Sequence, residues 1–421
     1  MINNFKPKSE FSRNVLTLMT GSAIAQAIPI AITPILTRLY TPEDFGLLAL
    51  YMSAASLVSV LATGRYELAI MLPKKDTDAL HIVFLSLWIT LGMTLLASVI
   101  LFFFNGAIAN FLGDATLASW LYMIPLSIFL SGLYQSVNYW NNRKKQYRRL
   151  AVNKIIQSSS TATLHLGLGN IGGGGLILGT VAGQALAASV LGKQTWSSTR
   201  RLVPAVTKLK MLALLRKYRK LPLLNLPNVF IDNIRTAGIN ILIAKFFTGA
   251  VLGQFALAWK MVQAPMSLIG RSLSQVFFER LATAPQSELA SIIRTFLLKA
   301  AVISLPMFLL IYLFAEPLFI VVFGEQWALA GQAASIMSPW LFFNFLTSPV
   351  ATVFVILNRQ EVVLGFAVVY MVIPLLLLTL FQHLDFTLLL TLLSITMSLL
   401  LLVFVAIVFH TIAHTQKAAQ T

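Results

Sequence analysis

Six ionisable side chains lie inside stretches that otherwise carry almost no charge: Arg65, Glu67, Asp232, Arg235, Lys260 and Arg271. A charge in hydrocarbon is costly, so each is expected to face a protein interior or a wet cavity. Four bases against two acids favour an anionic ligand over a cationic one. Asn225, Asn228, Asp232 and Arg235 are spaced 3, 4 and 3 apart, which places them on one stripe of a helix. Counted from Lys220, Arg235 lies about 22 Å along that helix at about 1.5 Å per residue, too deep to snorkel easily. Two readings are open. Asp232 and Arg235 form a structural pair at i,i+3, or with Asn228 they form a cavity-facing site. Lys260 and Arg271, eleven residues apart, fall within about 20° of one another around a helix and so share a face. Arg65 and Glu67 at i,i+2 would not face each other on an α-helix, so they are not read as a local pair. An arginine fork never titrates and can hold an anion with planar acceptor edges bidentately. Glu67 and Asp232 are the candidates for coupling to a proton or sodium ion; Arg294 and Lys299 are read as interface anchors.

Such residues matter only if the elements around them cross a membrane, and composition says that they do. The chain has 421 residues, 57% of them apolar and 11% charged, against about 25% charged in an ordinary soluble domain. A mean hydropathy of +0.81 and long uncharged runs (Ile82–Gly113, Val362–Leu384, Phe386–Phe409) exclude a soluble globular protein. The absence of cysteine excludes a disulfide scaffold. A spanning helix needs about 20 mostly apolar residues, so the apolar content supplies roughly twelve spans and little else. Coarse spans are expected at about 14–37, 45–72, 79–104, 117–140, 150–168, 175–196, 221–246, 253–278, 290–314, 331–357, 361–381 and 386–409. The first resembles a signal peptide, with Lys6, Lys8 and Arg13 ahead of Ala23-Ile24-Ala25. Its apolar character continues to Leu36, so it is read as an uncleaved span.

The net charge of +17 follows topology. Basic clusters fall after alternate runs (Lys6–Arg13, Lys74–Lys75, Arg143–Arg149, Arg200–Lys220, Arg280, Arg359, Lys417). The intervening loops Asn105–Ala118, Gly167–Gly175, Ala315–Gly331 and Gln382–Asp385 have no Lys or Arg. By the positive-inside rule both termini are cytoplasmic, and nucleic acid is not an expected partner. The basic segment at about 197–220 is read as a cytoplasmic connector lying against anionic headgroups.

An internal repeat divides the chain at that connector. Arg38-Leu39-Tyr40-Thr41 with Gly46, Ala49 and Leu50 matches Lys245-Phe246-Phe247-Thr248 with Gly253, Ala256 and Leu257, every pair offset by 207. Gly113-Asp114, Pro125 and Asn142-Arg143 likewise parallel Gly324-Glu325, Pro339 and Asn358-Arg359. In this register Arg65 lies beside Gly64, the partner position of Arg271. The expected architecture is all-α, with about twelve transmembrane helices in two parallel six-helix repeats, 1–207 and 208–421, around a central cleft.

Enzyme signatures fail on inspection. Gly167-Leu168-Gly169-Asn170-Ile171-Gly172 fits G-x-G-x-x-G, but no Asp or Glu occurs between Asp114 and Asp232 to hold a ribose, and no Walker lysine follows. These glycines are read as a short outer turn. The histidines (His81, His165, His383, His410, His414) show no metal-ligand cluster; His410 and His414 are an i,i+4 pair, read as interfacial at a helix end beside Lys417. No catalytic residue, metal or cofactor is expected, apart from the possibility of H⁺ or Na⁺ coupling.

Thr37-Arg38-Leu39-Tyr40-Thr41-Pro42 with Phe45-Gly46 resembles the turn between the first two helices of polysaccharide flippases. So do Arg65-Tyr66-Glu67-Leu68-Ala69-Ile70 running to Pro73-Lys74, and Phe323-Gly324-Glu325-Gln326-Trp327-Ala328 running through Pro339-Trp340 to Asn358-Arg359. These are the Wzx-type members of the MOP exporter superfamily, which also holds MATE antiporters and MurJ-type lipid II flippases. The resemblance implies a flippase that moves undecaprenyl-pyrophosphate-linked oligosaccharides from the cytoplasmic to the periplasmic leaflet of the bacterial inner membrane by alternating access. Arg65, Arg235, Lys260, Arg271 and Asn228 would then contact the pyrophosphate or line its cavity. Membrane lipids and other polysaccharide-assembly proteins, O-antigen and lipopolysaccharide systems among them, are the implied partners. A MATE-like antiporter and a membrane glycosyltransferase or polymerase are the competing readings. The first would need acidic cavity residues, and the second large extramembrane loops.

Overall fold

The computed structural model describes the backbone of residues 10–418, with side chains at 10–16, 224, 228, 268, 269, 271, 272, 275, 276, 417 and 418 outside the described residues. Lys6, Lys8 and the side chains of Arg13, Asn228, Arg271 and Lys417 therefore lie outside the description. Every regular element among the described residues is helical. Twelve are long: α1 Glu10–Leu39, α2 Pro42–Ser59, α3 Asp76–Leu112, α4 Ile124–Arg143, α5 Tyr147–Gly167, α6 Gly173–Thr199, α7 Lys220–Phe246, α8 Gly249–Thr283, α9 Leu289–Phe323, α10 Ala328–Val350, α11 Gln360–Leu380 and α12 Phe386–Ala418. Seven are long and apolar enough to cross a membrane alone, and α4 with the bent segment before it makes an eighth. The other four, α2, α5, α7 and α8, are of comparable length but carry the acidic cap, the basic first turn or the intramembrane charges. On α3 and α9 the apolar side chains point outward, Phe102 at 73% exposed and Ile303 at 79%. That suits acyl chains and not water. The protein is a multi-pass membrane protein.

The repeated motifs turn out to be helix punctuation. Thr41 and Thr248 are the N-caps of α2 and α8, accepting from the backbone N–H groups of Asp44 and Val251, as the orphan donors of a first turn require. At α2 the Asp44 carboxylate also accepts from the Thr41 N–H at 2.9 Å, completing a capping box with Pro42 in the first turn. Gly113 (φ 93°) and Gly324 (φ 106°) end α3 and α9 in a conformation open chiefly to glycine. Both helices thus run on to their glycine, past the expected ends near residues 104 and 314. Glu316, expected in a loop, sits inside α9 and accepts a hydrogen bond from Gln332 at 2.9 Å.

By internal contacts the chain forms two units, Met1–Ala237 and Gly238–Thr421, with the division inside α7. Neighbour relations recur from one half of the helix list to the other. In the first half α5 packs on α6, α4 on α6, α3 on α4 and α2 on α4; in the second α11 packs on α12, α10 on α12, α9 on α10 and α8 on α10. Glycines permit the tightest approaches. A Cβ at Gly183 would meet the Thr161 hydroxyl at 2.0 Å, and one at Gly331 would meet the Glu316 backbone at 2.5 Å. The Gly-rich segment is the turn expected: α6 starts at Gly173, its N–H held by the Asp44 carboxylate. His165 serves that turn as well, its Nε2 lying 2.9 Å from the Leu176 carbonyl.

Candidate functional site

The expected second span, 45–72, is not one helix. α2 stops at Ser59, and the chain turns through Gly64 (φ 56°) and Arg65 (φ 63°) into a tight 3-10 segment, Tyr66–Met71. Short-range bonds carry the turn: the Leu61 N–H donates to Val58 O at 2.9 Å, Gly64 to Leu61 O at 2.9 Å and Tyr66 to Thr63 O at 3.2 Å. The left-handed backbone at Arg65 costs about 1–2 kcal/mol for a residue with a Cβ, and it changes which side chains meet. Arg65 Nη1 lies 3.3 Å from Glu67 Oε1, with Glu67 wholly buried and Arg65 21% exposed. The expectation that i,i+2 residues would not pair holds for an α-helix and fails here because the backbone is not one. The Thr63 hydroxyl donates to the other Glu67 oxygen.

α8 runs unbroken through residue 271 while the matching stretch of the first half turns at Gly64. Arg65 and Arg271 therefore do not sit on equivalent helices, and Arg65 is engaged by a carboxylate.

The turn is anchored at its far end by Arg143, the last residue of α4. Its guanidinium donates to Ile70 O at 3.2 Å and to Asp76 Oδ1 at 3.1 Å. Lys144 also pairs with Asp76, and Lys210 with Asp78. His81 Nδ1 sits 2.6 Å from the Thr77 carbonyl and must donate to it, so Nε2 is free to accept from the Thr207 N–H at 3.1 Å. Tyr66 donates its hydroxyl to Leu215 O at 3.2 Å. These bonds strap the basic connector, including its helix Lys208–Lys217, to the turn that holds Arg65 and Glu67. In the sequence Arg143 stands as a loop charge and a repeat position; the signal for its anchoring role is the set of loop ions of both signs (Asp76, Asp78, Arg143, Lys210).

On α7, Arg235 Nη2 lies 2.7 Å from Asp232 Oδ1. The exposures are opposite: Arg235 is 11% exposed and Asp232 68%. A carboxylate turned outward at mid-helix would be costly against hydrocarbon, so that face is expected to border water. Asn225 is spent on its own helix, donating to Leu221 O at 3.1 Å. The structure thus joins Asp232 with Arg235 and leaves Asn228 undescribed.

In the second unit, Lys260 is exposed. A cavity of about 400 Å³ opens beside its helix face, lined by Gln263, Ser267, Gly270 and Ser274 of α8 and by Asn344, Ser348 and Pro349 of α10. Residues 260, 263, 267, 270 and 274 recur every three or four positions, so Lys260 heads the stripe that walls the cavity. Asn344 also donates to the Tyr370 hydroxyl at 3.3 Å, joined there by Trp340 Nε1 at 2.7 Å. Small hydroxyls and amides at helical spacing in a charged span were the sequence signal for this wall. Arg294 and Lys299, read as interface anchors, are both exposed.

The helical fold is similar to that of several solved membrane proteins. It superposes on the lipid II flippase MurJ in an inward closed conformation with a TM-score of 0.71, at 12% identity, over 96% of this chain and 88% of that one. A multidrug resistance MATE family transporter of the MOP superfamily, inward-facing, gives 0.66 at 13% identity over 95% of both chains. A MOP superfamily transporter from Pyrococcus furiosus Vc1 (DSM3638), described as having a binding pocket of reversed polarity, gives 0.58 at 13% identity over 96% of both. Residues 35–331 match the polysaccharide biosynthesis protein family, and the chain belongs to that family. The succinoglycan biosynthesis transport protein ExoT of Rhizobium meliloti (strain 1021) is 23% identical over 333 residues, which is 72% of this chain. The match spans 61% of the length of that relative.

Proposed function

We propose that the protein is a flippase for undecaprenyl-pyrophosphate-linked oligosaccharides, carrying them from the cytoplasmic to the periplasmic leaflet of the inner membrane by alternating access. Membership of the polysaccharide biosynthesis family carries this reading. The chemistry of the spans supports it. A pyrophosphate needs fixed positive charge in a low-dielectric site, and Arg235, Lys260 and Arg271 offer it. The mostly buried Arg235 can exchange the outward Asp232 carboxylate for a phosphate oxygen, and Asp232, facing water, can then take up a proton or sodium ion. Gln263, Ser267, Asn344 and Ser348 suit sugar hydroxyls, as donors and acceptors on a wall that also carries Met266 and Phe345. A cation antiporter of the MATE kind would want carboxylates free to exchange ions for cargo. Here Glu67 and Asp232 are both already held by arginines.

The test is transfer in proteoliposomes. A fluorescent polyprenyl-pyrophosphoryl oligosaccharide should become accessible to an impermeant quencher faster than in protein-free vesicles. Gradient-driven efflux of a cationic dye with no lipid transfer would replace this reading with the antiporter. Topology has its own check, since the chain has no cysteine. Single cysteines at Gly169–Gly175 should react with an impermeant thiol reagent in intact cells, and cysteines at 143–149 only after lysis. The opposite pattern would invert the proposed orientation.

A further inference from the structure

A pocket in the first unit, away from the charged spans, carries two arginines without an ion pair and two amide oxygens without a hydrogen-bond partner among the described residues. It has a volume of about 310 Å³ and lies between the start of α5 and the end of α6. Arg148 and Arg149 line it, and no acidic residue does so among the described residues. Neither arginine makes an ion pair among the described residues. α5 begins there with no side-chain cap on its first turn, so unpaired N–H groups add to the positive potential. Deeper in, Asn153 is 1% exposed and donates its Nδ2 to Ala187 O at 2.9 Å, while its Oδ1 has no partner. Gln194 Oε1 is likewise buried and unpartnered. A buried acceptor left empty costs free energy, so the site is built for a ligand that donates.

The pocket's place in the membrane narrows the ligand. Trp196, two residues beyond Gln194 on α6, is 56% exposed, as in the aromatic belts that mark the headgroup level. Val152, 46% exposed, adds apolar surface to the lining. We propose that this pocket binds an anionic phospholipid whose headgroup carries hydroxyls. The phosphodiester would lie against Arg148 and Arg149, and the polyol hydroxyls would donate to Asn153 Oδ1 and Gln194 Oε1. This is a resident lipid site, independent of the transported substrate.

The experiment uses the full-length protein in nanodiscs of phosphatidylcholine doped with one test lipid, with native mass spectrometry reading the lipid retained. Phosphatidylglycerol should be retained over phosphatidylmethanol, which has the same charge and acyl chains but no headgroup hydroxyl. Arg148→Ala/Arg149→Ala should cut phosphatidylglycerol retention by roughly tenfold or more, as loss of charge-assisted contacts implies. Gln194→Met should leave charge-dependent retention intact and abolish the preference over phosphatidylmethanol. Equal retention of the two lipids by the wild type would overturn the hydroxyl assignment, and full retention by the double-arginine variant would overturn the phosphate assignment. Displacement of the lipid by an equal concentration of glycerol 3-phosphate would reassign the site to a soluble phosphate. The thermal midpoint of each variant, unchanged from wild type, separates lost binding from lost folding.

Discussion

Glu67→Ala is expected to destabilise the folded protein by about 3–5 kcal/mol, the cost of stranding one member of a buried ion pair. Glu67 is wholly buried, and its carboxylate takes the Arg65 guanidinium on one oxygen and the Thr63 hydroxyl on the other. Its loss leaves Arg65, only 21% exposed, charged and without its counterion. Arg65 Nε already lacks a hydrogen-bond partner, so there is no reserve to absorb the change. Glu67→Gln keeps an acceptor for Thr63 but sets an amide N–H against the guanidinium, and should fall between wild type and Glu67→Ala. Arg65→Met/Glu67→Met removes both charges together and should recover most of the loss. Thermal midpoints of the detergent-solubilised variants read all three directly. If Glu67→Ala melts with wild type, the turn is held by Arg143 and the backbone bonds alone. The same series bears on ion coupling. A Glu67→Gln protein that folds and transports without responding to the gradient would mark Glu67 as the coupling carboxylate, and unchanged coupling would leave Asp232.

The reach of sequence reasoning is visible at this turn. Class, helicity and approximate span number were legible, because apolar runs of membrane length have few other uses. The repeat was legible for a physical reason that emerged only with the structure: its matching residues are caps and left-handed terminators (Thr41 and Thr248, Gly113 and Gly324), positions where few residue types work. The break after Ser59 was not legible. Ala62-Thr63-Gly64 is no stronger a breaker than many glycines tolerated within spans, and α8 continues through the equivalent stretch. What decides the break is tertiary. The turn packs against α3 and α4 and receives Arg143 from the end of α4, a contact across 73 residues of sequence. The Asp232–Arg235 pair, by contrast, lies within one helical turn, and spacing alone was enough to bring it into view. Its unequal exposure was beyond spacing.

That inequality makes Arg235 the more informative target for transport. If the guanidinium only neutralises Asp232, Arg235→Ala should lower stability, and Arg235→Ala/Asp232→Ala should restore folding and export together. If it trades Asp232 for the substrate's pyrophosphate, as proposed, the double variant folds but exports less than about a tenth of wild type, the loss of one or two charge-assisted bonds. Arg235→Lys keeps the charge, loses the bidentate fork and should give intermediate export. Asp232→Asn alone should bind the anion at least as well, since the competing carboxylate is gone, yet turn over more slowly because nothing displaces the phosphate on the far side. The measurement is surface glycan per unit of folded membrane protein in a strain lacking its own flippase. Wild-type export by the double variant would reduce Arg235 to scaffolding and leave the cationic site to Lys260 and Arg271. The geometry argues against that outcome. Asp232 is 68% exposed beside a guanidinium only 11% exposed, so the pair does not seal its own carboxylate from water. A counterion placed where water can reach it is one that can be protonated or displaced, and that is the property a reversible anion site requires.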